Sequence, residues 1–252
     1  MGLASRSMQT APALPRPAAT LLLLRDAAEG LEVLMVRRAR EMDFAAGALV
    51  FPGGRVEEGD ALLAAGDDAL GAHRIAAIRE AWEECGILLA RPGAPHVHLA
   101  NAFGTHLLRE GVTPDASGLV HFAHWITPEH SPKRFDTHFF LAATPQGQEA
   151  VHDGQEAVEA VWARPRTTLA EAAAGRRRLV FATRLNLTRL ADYPNVSSAL
   201  EQAAASRVVT VTPSPVPDGQ GGTLLRIPLE AGYGGDLFPA LDAPAMGGAW
   251  PR

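Results

Sequence analysis

Residues 79–84 read Arg79, Glu80, Ala81, Trp82, Glu83, Glu84, and the pattern around them demands a helix with two unlike sides. At roughly 100° per residue, Glu80, Glu83 and Glu84 fall within about 100° of one another. Ile75, Ile78, Trp82, Cys85 and Leu89 form an apolar stripe opposite them. The pattern predicts a helix over residues 73–89 that buries one side and presents carboxylates from the other. Like charges three and four residues apart repel by about 0.2–0.5 kcal/mol per pair, so the cluster costs stability without a counter-charge. A hard divalent cation such as Mg²⁺ or Mn²⁺, which takes carboxylate, water and phosphate oxygens together, would supply it. The plain alternative is an acidic face left in solvent.

The neighbourhood narrows the choice. Gly53 and Gly54, then Gly59 and Asp60, then Arg79, Glu80, Glu83, Glu84, Gly86 and Ile87 resemble the signature of the Nudix hydrolase superfamily. That signature is a glycine, five residues, Glu, seven residues, then R-E-U-x-E-E-x-G-U with U aliphatic. Ala81 stands at an aliphatic position, and Asp60 replaces the first Glu. Residues 61–78 are 18 where the signature has 7, an insertion of 11 that helical turns or a surface loop can absorb. The resemblance implies an α/β fold, a Nudix-type α/β/α sandwich with a mixed sheet and an added C-terminal helical region. It also implies Glu80, Glu83 and Glu84 as ligands of Mg²⁺ or Mn²⁺, with Arg79 orienting a ligand carboxylate. The reaction it implies is hydrolysis of a nucleoside diphosphate linked to another moiety. Glu83, Glu84 or a late-loop Glu156 would be the base, with Glu159 as second choice for the loop residue.

Upstream, Leu34, Arg38, Ala39, Gly47 and residues 51–54 are in register with the extra motif of Nudix enzymes that cleave coenzyme A. Val36 and Asp43 depart from it, Asp43 replacing the motif's second Arg. Trp125-Ile-Thr-Pro, residues 133–140 and Glu156 through Trp162 are similar to the coenzyme A diphosphatases with an interrupted box, extending the likeness over about residues 18–190. The implied substrate is coenzyme A or an acyl-coenzyme A, giving 3′,5′-ADP and (acyl-)4′-phosphopantetheine. Arg38 would bind a phosphate as a charge-assisted donor, and Gly53 and Gly54 would let backbone approach the ligand closely. Asp43 keeps ADP-ribose, dinucleotides, sugar nucleotides and oxidised nucleotides as rivals. A nucleotide-sensing module without turnover is a reading from another class, and the intact glutamates argue against it.

The 252 residues suit one domain: a tail over 1–17, the Nudix domain with its helical extension over 18–206, and a C-terminal extension over 207–252. Strands are predicted over 18–25, 31–38, 47–51, 97–101, 121–126, 134–143 and 157–163. Helices follow over 166–175, 181–191 and 195–206, the last capped by Asn195, with a shorter helical piece over 105–110. Two short strands, 208–212 and 223–227, precede residues 231–252, which have no strand or helix period and suit a lid, a dimer arm or disorder. His121, His124 and His138 lack the tight spacing of a ligand set and read as core or surface residues, and so do Trp125 and Phe140. A net charge of −5 gives no electrostatic case for nucleic acid or an anionic membrane, and the apolar run 18–24 is too short to span one. The partner expected is a small nucleotide-type molecule, with a homodimer left open. Cys85 is the single cysteine, which excludes an intrachain disulfide and fits a cytoplasmic protein.

Overall fold

The structure, a computed structural model, describes residues 13–39, 45–64, 66, 68–97 and 99–240. Asp43, residues 1–12 of the expected tail and residues 241–252 of the expected extension lie outside them.

The fold is built on β1 (Arg16–Ala27), which starts inside the stretch expected as a tail. Leu21, Leu22, Leu23 and Leu24 are all fully buried, because helices cover both sides of the sheet and leave neither face of this strand to water. The chain turns at residues 28–29 into β2 (Gly30–Arg38), with Ala27 opposite Gly30. Gly30 takes φ +111°, a value that costs a glycine little. After β3 (Leu49–Val50), β4 (Gly53–Arg55) pairs antiparallel with the first half of β1, while β2 pairs with its second half. The other edge of β1 carries β8 (Phe135–Ala143) in parallel, followed by β7 (Val120–Ile126). β9 (Ala157–Ala163) runs along β2 at the position the sequence predicts. Parallel and antiparallel pairs together make the mixed sheet of eight strands.

One layer over the sheet is α1 (Glu58–Leu63), α2 (Gly71–Cys85) and α3 (Ala102–Glu110). Leu21, Leu23, Leu34 and Val36 pack there against Ile75, Ile78, Ala81 and Cys85. On the other face Leu22, Leu24, Val33 and Met35 meet the layer of α4 (Pro165–Ala173), α5 (Phe181–Leu190) and α6 (Val196–Ala205). The Asn195 side chain caps α6 by accepting from Ser198 N at 2.9 Å.

Three boundaries differ from expectation, each for a local reason. α2 stops at Cys85, not at residue 89, because Gly86 enters the left-handed region at φ +70° and its N–H turns back to Trp82 O. The described residues among 97–101 form no strand: Asn101 accepts from Gly104 N and starts α3, while β5 (Ala90–Pro92) and β6 (Val112–Pro114) pair with each other. Residues 207–240 are packed onto the molecule through β10 (Thr210–Val211), parallel to β7, and a small sheet of β11 (Ser214–Pro217), β12 (Thr223–Arg226) and β13 (Leu237–Pro239). Tyr233, in the stretch without period, is buried: its hydroxyl accepts from Trp125 Nε1 at 3.0 Å and donates to Asn186 Oδ1 at 2.9 Å. Trp125 and Phe140 are both core residues.

Candidate active site

Asp60 and Arg79 are the base on which the site stands. Both are buried, 1% and 3% exposed, where neither charge would be tolerated alone. Arg79 Nε donates to Asp60 Oδ1 at 2.9 Å and Nη2 to Asp60 Oδ2 at 3.0 Å, a two-pronged pair. Nη2 also donates to Arg55 O at 2.8 Å. The remaining prong, Nη1, donates to Glu80 Oε1 at 2.9 Å and to Glu83 Oε2 at 2.7 Å. One guanidinium thus ties three carboxylates to the end of β4.

Asp60 sits in the insertion-bearing part of the box, where residues 58–63 form α1. It is the third residue of that helix, and Oδ2 also accepts from Glu57 N at 2.8 Å, half of a reciprocal cap. The shorter acid in place of Glu therefore orients Arg79 and starts α1. Its two oxygens are turned to those partners and not to the other glutamates.

Glu84 lies deeper than a two-sided helix suggests, 4% exposed. α2 is buried nearly all round because β4 and the end of β2 close over its acidic side. Gly53 N donates to Glu84 Oε2 at 3.2 Å, and Arg38 Nη1 approaches Oε1 at 3.9 Å. Arg38 Nε is buried and has no hydrogen-bond partner among the described residues. Backbone packing requires a glycine at Gly53, and a side chain at Gly54 would displace the Glu80 carboxylate. A Cβ on Gly53 would come within 2.5 Å of Ala19 O, and one on Gly54 would run into the Glu80 carboxylate.

Burial raises the pKa values of these carboxylates. Desolvation, only partly offset by Arg79, pushes Glu80 up to about 7. Desolvation together with the neighbouring Glu80 pushes Glu84 up to about 8. Glu83, half-buried, is raised in the same direction by desolvation. The exposed Glu156, on the loop before β9, stands near enough for its charge to raise both Glu80 and Glu84. Glu159 is turned away, paired with Arg37 at 2.8 Å on the opposite face of β2. Five carboxylates therefore meet two guanidiniums, and the donor set is all oxygen. Such a set fits a hard divalent cation and offers nothing to a soft one. A cavity of about 500 Å³ beside α5 and α6, lined by Arg189, Tyr193, Arg207 and Glu230, shares no residue with this cleft.

The NUDIX domain family model matches residues 14–183. The chain belongs to the Nudix family. A Nudix hydrolase structure from Alicyclobacillus acidocaldarius superposes with a TM-score of 0.64 at 33% identity, covering 74% of this chain and 96% of that one. Putative nudix hydrolase 7 of Caenorhabditis elegans is 32% identical over 172 residues, 64% of this chain. Acyl-coenzyme A diphosphatase NUDT19 of Homo sapiens is 32% identical over 120 residues, 37% of this chain. The match spans 56% of the length of the first curated relative and 32% of the second. The mixed sheet between two helical layers is the Nudix α/β class read from the sequence.

The structure brings Arg79, Glu80, Glu83, Glu84, Arg38, Gly53, Gly54 and Glu156 to one place. Asp60 as the anchor of Arg79 is what sequence reasoning missed, because 18 residues separate the two and only the packing of α1 on α2 closes the gap.

Proposed function

We propose that the chain is a metal-dependent Nudix diphosphatase acting on a nucleoside-diphosphate-linked substrate, with coenzyme A or an acyl-coenzyme A as that substrate. The observation that carries the chemistry is the convergence of Glu80, Glu83 and Glu84 on one cleft, with Arg79 bound to Glu80 and Glu83 and Arg38 approaching Glu84. Glu80, Glu83 and Glu84 would hold Mg²⁺ or Mn²⁺, which would supply Lewis-acid neutralisation of the charge developing at phosphorus.

The chain's own residues do the rest. Arg79, anchored by Asp60, holds the Glu80 and Glu83 carboxylates in fixed orientation so that no side-chain ordering is left for the moment of reaction. Arg38 donates from its unpaired Nε to a phosphate oxygen of the substrate. Glu156 reaches the cleft from an exposed loop and takes a proton from the attacking water, a role that Glu83 and Glu84 would otherwise fill.

The coenzyme A reading is supported by the residues of the extra motif, Leu34, Arg38, Ala39, Gly47 and 51–54, and by the likeness to the human acyl-coenzyme A diphosphatase. Asp43, where that motif has Arg, favours a second reading in which the same bond is cleaved in ADP-ribose, a dinucleotide, a sugar nucleotide or an oxidised nucleotide. Chromatographic analysis of products after incubation with Mg²⁺ and each of coenzyme A, acetyl-coenzyme A, ADP-ribose, NADH and dGTP separates them. Release of 3′,5′-ADP from the coenzyme A samples alone is the expected result. Turnover confined to another compound would keep the chemistry and discard the substrate, and none anywhere would favour the nucleotide-sensing module.

A further inference from the structure

Four histidines and an aspartate gather at the other end of α2, on the same face of the sheet as the carboxylate cleft. They come from three elements far apart in sequence: His73 from α2, His121 and His124 from β7, Asp136 and His138 from β8. His124 lies opposite His138 across the two strands, and Asp136 is two residues from His138 on the same face. The register thus sets three ligand-type side chains side by side, with the ligand atoms of His124, Asp136 and His138 all within 4.8 Å of one another.

The Nδ1 atoms of His124 and His138 are held by neighbouring side chains, and their Nε2 atoms face Asp136. His124 Nδ1 is 2.8 Å from Thr210 Oγ1, and its Nε2 hydrogen-bonds Asp136 Oδ1 at 2.5 Å. His138 Nδ1 is 3.0 Å from His121 Nε2, leaving its own Nε2 4.0 Å from the same Asp136 oxygen. A second partner that fixes ring and tautomer while the far nitrogen points inward is how proteins orient metal-binding histidines. His73 adds an independent sign: its ring is 4.7 Å from that of His138, and its Nδ1 is buried without a hydrogen-bond partner among the described residues.

We propose that His124, Asp136 and His138, with His73 alongside, form a binding site for a divalent transition metal, Zn²⁺ or an ion of similar softness, separate from the carboxylate cleft. Two imidazoles and one carboxylate are a donor set that suits Zn²⁺ and its neighbours and is poor for Mg²⁺. The rings of His124 and His138 are now stacked, their centroids 4.0 Å apart and their planes 8° from parallel, so seating the ion turns them about their side-chain bonds. Asp136 and His124 are part-exposed, which leaves an entry path. The ion would join β7, β8 and α2, and Thr210 of β10 links the C-terminal extension to it.

The test is calorimetric titration of the full, EDTA-stripped chain with Zn²⁺ in millimolar Mg²⁺, which keeps the carboxylate cleft filled with its own cation. One equivalent bound by the wild type and by Glu83→Gln is expected, with affinity at least about 100-fold lower in the double variant His124→Gln, His138→Gln. Thr210→Val, which removes only a supporting hydroxyl, is expected to weaken Zn²⁺ by about 10-fold. It covers the case in which the double variant fails to fold. Co²⁺ in place of Zn²⁺ should give the visible absorption of a four-coordinate nitrogen–oxygen site. Equal Zn²⁺ affinity in wild type and Thr210→Val, or loss of the Zn²⁺ equivalent in Glu83→Gln, would overturn the proposal. Neither result bears on diphosphate hydrolysis, which is read separately.

Discussion

Removing the charge of Asp60 strands the Arg79 guanidinium at 3% exposure with its largest pairing partner gone. Breaking one side of a buried pair costs about 3–5 kcal/mol, so Asp60→Asn is expected to lower unfolding free energy by about 3 kcal/mol in denaturant titration. Turnover falls with it, because Glu80 and Glu83 lose the anchor of their shared donor. An Asp60→Asn protein as stable as the wild type would mean that Arg79 is held by Arg55 O and the glutamates alone. At this scale the acidic face of α2 was legible, since angular position follows from residue number. The Asp60 anchor was not, because it depends on how an insertion folds back. The histidine cluster was not legible for a related reason: its ligands meet only through the register of β7 against β8.

Among the elements, length and apolar run decide most of what the sequence declares. β1 could be read from four consecutive leucines, and β9 from its run of apolar residues. Of the two- to four-residue strands, β10 and β12 fall inside the stretches 208–212 and 223–227 expected as strands, whereas β11 and β13 have no room for a period and pairing alone makes them strands. What fastens this extension is Tyr233, whose hydroxyl joins Trp125 of β7 to Asn186 of α5. Tyr233→Phe leaves a buried indole N–H and a buried amide oxygen without that partner. The expected cost is about 1–3 kcal/mol by thermal or denaturant unfolding. Unchanged stability would show that the extension contributes nothing to the fold through this link.

For the whole molecule, the carboxylate cleft couples stability to pH, and the proposed cation site would couple it to Mg²⁺ as well. Glu80 and Glu84, raised to about 7 and about 8 from an ordinary 4.5, keep protons in the folded chain that the unfolded chain has already released. The folded state therefore binds more protons, and this contribution to stability falls as pH rises from about 4.5 to about 8. In EDTA, Glu84→Gln is expected to be more stable than the wild type at pH 8, on the order of a few kcal/mol, with the gap closing toward pH 5. Millimolar Mg²⁺ should close it at pH 8 by stabilising the wild type alone. A gap independent of pH would assign the effect to packing and not to charge. No helix among the described residues is long and apolar enough to cross a membrane.

The proposed role of Glu80, Glu83 and Glu84 as one divalent-cation site, held ready by Arg79 and Asp60, can be read from binding alone. The decisive experiment is calorimetric titration of Mg²⁺ and Mn²⁺ into the wild type and into the Glu83→Gln, Glu84→Gln double variant at neutral pH. Measurable heats and saturation are expected for the wild type, and loss of binding in the variant. Binding of either ion unchanged by the two substitutions would contradict it.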